Sequence, residues 1–139
     1  MSQTDQEGAS EISRLIELPR GEFEDLVADL YRALGHQAAR TNATGEHAID
    51  LVIRTRTGQK WIVQCKQWRG AVGESVVRDF YAAMQREQAA QGAIITTARF
   101  TPKAREWAKG KPLHLYDGVE FLRAMKRIRD RAAATLARS

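Results

Sequence analysis

The stretch that decides the fold is Ile49-Asp50-Leu51-Val52-Ile53-Arg54, then Thr57-Gly58-Gln59, then Lys60-Trp61-Ile62-Val63-Gln64-Cys65-Lys66. The first run, over Ala48–Arg56, alternates, with Ile49, Leu51 and Ile53 on one face and Asp50, Val52 and Arg54 on the other. The second alternates again, with Trp61, Val63 and Cys65 opposite Ile62, Gln64 and Lys66. Period two on both sides of a turn signal predicts a β-hairpin. Gln64 and Lys66 then share a face, and Asp50 joins them if it faces them across the hairpin. A carboxylate, an amide oxygen and an ammonium that converge suit a hard metal ion and an attacked phosphate.

Working outward, Phe23, Leu26, Val27, Leu30, Tyr31 and Leu34 repeat at helical spacing, predicting a helix over Glu22–Leu34 that Gly35 stops. A polar strand follows over Gln37–Thr41, then a loop over Asn42–His47. After the hairpin, Trp68–Gly73 is a loop. A helix over Glu74–Ala90 follows, with Gly92 beyond its end, then a short strand over Ala93–Thr97. Thr101-Pro102 opens another helix, as a cap followed by a proline at the first helical position, and Gly110 ends it. Leu113–Tyr116 is a strand, and Asp117 with Glu120 forms a capping-box start to the last helix. Residues 1–10 are polar and without periodicity, so the reading expects a partly disordered tail over 1–18, with a helical turn at Ile12–Leu18, and one folded domain over 19–139. The order α-β-β-β-α-β-α-β-α is that of an α/β mixed sheet flanked by helices.

Composition narrows the class. At 139 residues, with 43% hydrophobic and 28% charged residues, one core can form without staples. A single cysteine rules out an internal disulfide. No apolar run reaches the roughly 20 residues of a membrane span. The polar start is unlike a signal peptide, so cytoplasm is the expected location. Net charge is +5, from 22 Lys plus Arg against 17 Asp plus Glu. Much of the excess falls in the last helix, at Arg123, Lys126, Arg127, Arg129 and Arg131. A basic face attracts nucleic acid; a solvated helix face is the plainer alternative.

Phosphodiester hydrolysis needs a metal on the phosphate, an activated water and stabilisation of developing negative charge. Mg²⁺ prefers oxygen ligands at about 2.1 Å. Asp50 offers a carboxylate, Gln64 its side-chain carbonyl, and Cys65 its backbone carbonyl. Lys66 can orient the attacking water and neutralise charge. On a helical wheel Glu24 lies about 60° from Val27 and about 20° from Tyr31, at the rim of the apolar stripe, where it can be presented to a strand. Asp50 and Glu24 together would balance one divalent cation, with Gln64 adding no charge. The alternative for Asp50 and Lys66 is a structural ion pair. Arg69, after Trp68, and Lys126, Arg127 and Arg131 are the candidate DNA contacts.

These residues resemble the Mrr-type restriction endonuclease domain of the PD-(D/E)XK nuclease superfamily. The likeness runs from about Gly21 to Met125. It is carried by Phe23-Glu24 with Leu34-Gly35, Ile49-Asp50-Leu51, Gln64-Cys65-Lys66, Val72-Gly73, Ile94-Ile95-Thr96-Thr97, Phe100-Thr101 with Ala104 and Ala108, and Leu115-Tyr116-Asp117-Gly118. It implies a restriction-endonuclease-like sheet core and DNA cleavage with Mg²⁺, Mn²⁺ being the substitute. It also implies Asp50, Gln64 and Lys66 as the core site, with Glu24 as an added carboxylate. Gly45-Glu46-His47-Ala48 departs from the family's glycine-rich turn. The family founder's separate DNA-recognition domain has no counterpart within these residues, so specificity does not carry over. Cutting both strands usually requires two sites, so a homodimer is one assembly to test, and the sequence leaves the oligomeric state open. Two other readings stand beside this one: a non-catalytic DNA-binding module that keeps the fold, and a structure-selective nuclease like the Holliday-junction resolvases.

Overall fold

Two alternating runs and three amphipathic helices need a surface on which to bury their apolar sides, and a central sheet provides it. The structure, a computed structural model, describes residues 3–19, 21–41 and 48–138, the side chains of residues 3–5 and 7 excepted. Its elements are α1 (Gln3–Glu17), α2 (Glu22–Ala33), β1 (Gln37–Arg40), β2 (Leu51–Arg54), β3 (Lys60–Lys66), β4 (Ala71–Val72), α3 (Glu74–Arg86), β5 (Gln91–Thr96), β6 (Arg99–Phe100), α4 (Pro102–Ala108), β7 (Leu113–Tyr116) and α5 (Gly118–Arg138). The main sheet has the order β1-β2-β3-β5-β7. β1, β2 and β3 pair antiparallel, while β3, β5 and β7 run parallel. This is the mixed sheet flanked by helices that the sequence predicted.

The hairpin register puts Leu51 opposite Val63 and Ile53 opposite Trp61. Leu51, Ile53, Val63 and Ile95 pack with Phe23 and Val27 of α2, Leu15 of α1 and Phe121 of α5. On the other face Ile62 and Ile94 pack with Val77 and Phe80 of α3 and Ala104 of α4. β3 and β5 are therefore buried on both sides, as parallel strands between helical layers are.

Five local expectations are corrected. Residues 3–17 form α1 where irregular chain was expected over 1–10. Leu15 is buried in the core, and the Gln67 side-chain amide donates to the carbonyls of Leu15, Ile16 and Leu18 at 2.8, 3.1 and 2.9 Å. That tertiary clamp satisfies orphan carbonyls at the helix end, and local periodicity cannot show it. The second strand begins at Leu51, not Ala48. The chain bends at Asp50, and Ile49 packs with Ile62 instead of sharing a face with Leu51 and Ile53. α3 ends at Arg86, and its exit passes through Gln88 at φ +53°. Gly92, expected between that helix and the strand over Ala93–Thr97, lies inside β5, where an added Cβ would sit 2.5 Å from the Met84 sulfur and 2.8 Å from the Phe80 ring. Finally, the Trp68–Gly73 segment holds β4, which pairs in parallel with β6 as a second small sheet.

The expected caps formed. Thr101 Oγ1 accepts from Ala104 N at 3.1 Å. Asp117 Oδ1 accepts from Glu120 N at 2.8 Å, and Glu120 Oε1 accepts from Asp117 N at 3.2 Å.

Candidate functional site

The site assembles where β2 begins and β3 ends. Asp50 N donates to Val63 O at 2.8 Å, and Thr41 N donates to Asp50 O at 3.2 Å, so Asp50 is pinned between β1 and β3 by its backbone. Its carboxylate Oδ2 accepts from Cys65 N at 2.7 Å. Val63 O and Cys65 N–H both point toward Asp50. Backbone direction alternates along a strand, so the Cys65 carbonyl belongs on that side too.

Gln64 is only 6% exposed, and it lies beside Ile94 in the register with β5. Its Oε1 is buried without a hydrogen-bond partner. A buried amide oxygen left unpaired is costly, and its orphaning marks a place for an electron-pair acceptor. The Asp50 carboxyl is raised above its ordinary range. Burial is the main cause. The Cys65 N–H opposes it, the Glu24 carboxylate adds to it, and Lys66 and Arg40 pull it back. The Cys65 thiol is pushed well up by burial, then by Asp50 and Glu24, and is no nucleophile.

Asp50, Glu24, Lys66 and the Cys65 backbone thus lie within electrostatic reach of one another. Among the described residues, no three His, Cys, Asp or Glu side chains gather as a metal group. The donors at hand are two carboxylates, one amide oxygen and one backbone carbonyl. Such an all-oxygen set with charge −2 fits a hard divalent cation and not a thiolate- or imidazole-loving one.

Sequence reasoning missed Arg40. Its Nη2 donates to Gly21 O and to Asp25 Oδ1, both at 2.5 Å, and its Nη1 lies 3.5 Å from Glu24 Oε2. It ties the start of α2 to the end of β1 beside Asp50. Asp25 is its closest carboxylate partner, while the Asp25 side chain stays largely exposed. The signal was a lone arginine in a polar strand, which periodicity reads as solvent-facing. The Gly45-Glu46-His47 turn lies outside the described residues.

The candidate DNA contacts separate. Arg69 is exposed just after β3, near Lys66. Lys126 pairs with Asp130 at 3.1 Å. Arg127 and Arg131 line an apolar groove of about 650 Å³ with Leu30, Tyr31, Trp61 and Phe121. That groove runs along the sheet from the starts of β3 and β5, at Trp61 and Gln91, to Ile95 and Tyr116. The structure does not bring these three cations together with the site.

A mixed five-stranded sheet, with an aspartate at one strand's start and Gln-x-Lys at the next strand's end, defines the restriction-endonuclease-like class of fold. Residues 15–125 match the restriction endonuclease family of the Mrr catalytic type, and the chain belongs to it. The chain is 32% identical over 122 residues to the type IV methyl-directed restriction enzyme EcoKMrr of Escherichia coli strain K12, covering 82% of this chain and 40% of that enzyme. It therefore spans well under half of that relative's length. Among solved structures, the DNA modification-dependent restriction endonuclease AspBHI aligns over 100% of this chain and 41% of its own, with a TM-score of 0.68 at 18% identity. The MspJI restriction endonuclease, solved with a 27-mer oligonucleotide, aligns over 85% of this chain and 31% of its own, with a TM-score of 0.57 at 18% identity. These structural likenesses concern the fold. No helix among the described residues is long and apolar enough to cross a membrane.

Proposed function

We propose that this chain is the catalytic part of a DNA endonuclease that hydrolyses phosphodiester bonds with a divalent metal, Mg²⁺ by preference. The observation that carries this reading is the buried, unpartnered Gln64 Oε1, one residue from the backbone amide that holds the Asp50 carboxylate. Asp50, Gln64, Glu24 and the Cys65 carbonyl are the residues that would hold the ion. When bound, the ion polarises the phosphate and lowers the pKa of a coordinated water.

This chain's own residues supply the rest. The Cys65 N–H fixes one oxygen of Asp50, and the other would be available to hold a cation. Burial and Glu24 make an uncompensated Asp50 charge unfavourable, so the site favours an incoming cation. Lys66 places an ammonium beside Asp50. There its N–H groups can orient the attacking water and offset the charge that builds on the phosphate.

DNA as substrate is supported by the family, and by the names of the curated relative and of the two structural neighbours. The test is incubation of the purified chain with methylated and unmethylated plasmid in Mg²⁺, Mn²⁺ or EDTA. Methylated plasmid is included because the curated relative is named methyl-directed. Nicking or linearisation with metal and none in EDTA is expected; intact plasmid under every condition overturns the reading. Product ends and sedimentation with DNA bound would show whether two copies act together.

A further inference from the structure

We propose that Trp68 is a positioning residue for Lys66: its indole face holds the lysine ammonium at the mouth of the site. The inference rests on the nuclease reading for its functional consequence, but not for its geometry.

Lys66 Nζ stands 4.6 Å from the centre of the Trp68 ring, inside the range of a cation–π contact. Among the described residues, no carboxylate lies within ion-pair distance of that ammonium. The Asp50 oxygen nearest the strand is already occupied by the Cys65 amide. A lysine side chain has four rotatable bonds and loses substantial rotamer freedom when fixed. Without an anchor, the ammonium would sweep the solvent in front of Asp50. The ring supplies that anchor without neutralising the charge, which a carboxylate partner would do.

The backbone under the pair is held unusually firmly for a strand end. Lys66 O accepts from Thr97 N at 3.1 Å and from Thr96 Oγ1 at 2.7 Å. Trp68 O accepts from Thr97 Oγ1 at 2.6 Å, and Gly70 O from Arg99 N at 3.3 Å. β4 and β6 then close the segment. On that rigid base the Trp68 side chain is 41% exposed, although its area would contribute more if buried. A large aromatic kept outside the core, on clamped backbone and against the Lys66 ammonium, is explained by what it holds.

Trp68→Phe keeps a π face and Trp68→Leu removes it, while an exposed position leaves folding to either variant. Two measurements test the idea. In proton–carbon spectra of the chain with its lysines isotopically labelled, the Lys66 ε protons should be shifted upfield by the ring in the wild type. That shift should persist in Trp68→Phe and vanish in Trp68→Leu. An unshifted Lys66 in the wild type overturns the geometry, whatever the chain does to DNA. In plasmid cleavage, Trp68→Leu should lower kcat about tenfold with little change in KM, and Trp68→Phe should restore most of it. Unchanged kcat in Trp68→Leu overturns the proposal, as does a loss confined to KM, which would assign Trp68 to holding DNA. If the wild type cleaves nothing, the nuclease reading fails and the spectra still decide the contact.

Discussion

The two ends of the parallel strands in this sheet are built to opposite purposes. At the β3 exit, backbone donors and acceptors converge on Asp50, Lys66 and Trp68, and one amide oxygen is left unpaired. From the β3 entrance at Trp61, an apolar groove with Arg127 and Arg131 on its wall runs past Tyr31 and Phe121 toward Ile95 and Tyr116. There burial pushes the Tyr31 phenol upward. The same strand thus carries a polar, electrostatically unsatisfied end and an apolar, chemically quiet one. The difference follows from partners: the exit lies at a bend, where side chains replace the ladder, and the entrance lies under two helices. In open α/β sheets, function gathers outside the carboxyl ends of parallel strands, and the proposed site lies at that end.

The largest expected effect tests the polar end. Asp50→Ala and Lys66→Ala should each lower cleavage by about 10²-fold or more, with native-like circular dichroism. Wild-type rates in either folded variant would remove the distinction between the ends.

The next test places one methyl group at each end. An added Cβ at Gly118 would lie 2.6 Å from the Thr97 carbonyl oxygen, and Thr97 holds the backbone of Lys66 and Trp68. Gly92→Ala presses on Met84 and Phe80, away from the site. Each should cost about 1–3 kcal/mol in denaturant titration. Only Gly118→Ala should also reduce activity per folded molecule. Equal kinetic losses from both would mean that the ends are mechanically one unit.

That pair also shows what sequence could and could not reveal. Alternation made the hairpin legible, and with it the pairing of Asp50 with the β3 exit, because register follows from period two. The Asp117–Glu120 box and the Thr101 cap were legible because their chemistry is local. Gly92 was left outside the strand, since a glycine required by two distant side chains looks like one required by the backbone. Only the end of α1, the helical turn at Ile12–Leu18, was legible; its earlier turns were missed, and the Gln67 amide that caps it lies far along the chain. Arg40 was missed for the same reason. The bend at Asp50 turned Ile49 to the opposite face, a reversal that strict alternation cannot encode.

A smaller effect concerns Glu24. Glu24→Gln removes one of the two carboxylates and keeps the shape. About a tenfold rise in the Mg²⁺ concentration needed for half-maximal rate is expected, close to the cost of losing a partner at a metal site. A drop in melting temperature with unchanged metal dependence would assign Glu24 to Arg40 and to packing.

The Asp50 charge itself should be visible in stability without DNA. Its carboxyl is raised above the ordinary 3.8 when folded, so its contribution to stability is present below the unfolded value and lost as pH rises through the folded one. At neutral pH the ionised group is a net cost. Asp50→Asn, which keeps an acceptor for Cys65 N–H, should then melt slightly higher than the wild type. The gap should close as pH falls through the Asp50 titration. Adding Mg²⁺ should raise the wild-type melting temperature and not the variant's, and EDTA should reverse it. A variant that responds to Mg²⁺ like the wild type would place the ion elsewhere.

The smallest expected change concerns how DNA approaches. Binding without cleavage, measured in EDTA across a salt series, should weaken by about 0.9 in log affinity per log salt for each phosphate neutralised. Arg69 is exposed beside Lys66, so Arg69→Ala should flatten the slope by close to one such unit. Lys126 is engaged by Asp130, and Arg127 and Arg131 stand over the groove at the other end. Replacing all three with alanine should therefore change the slope by less than Arg69→Ala alone. If the triple variant instead flattened it by two units or more, α5 would be a DNA-binding face. A duplex reaching from Lys66 to the groove would then join the two ends into a single nucleic-acid surface, and the groove would be its apolar floor.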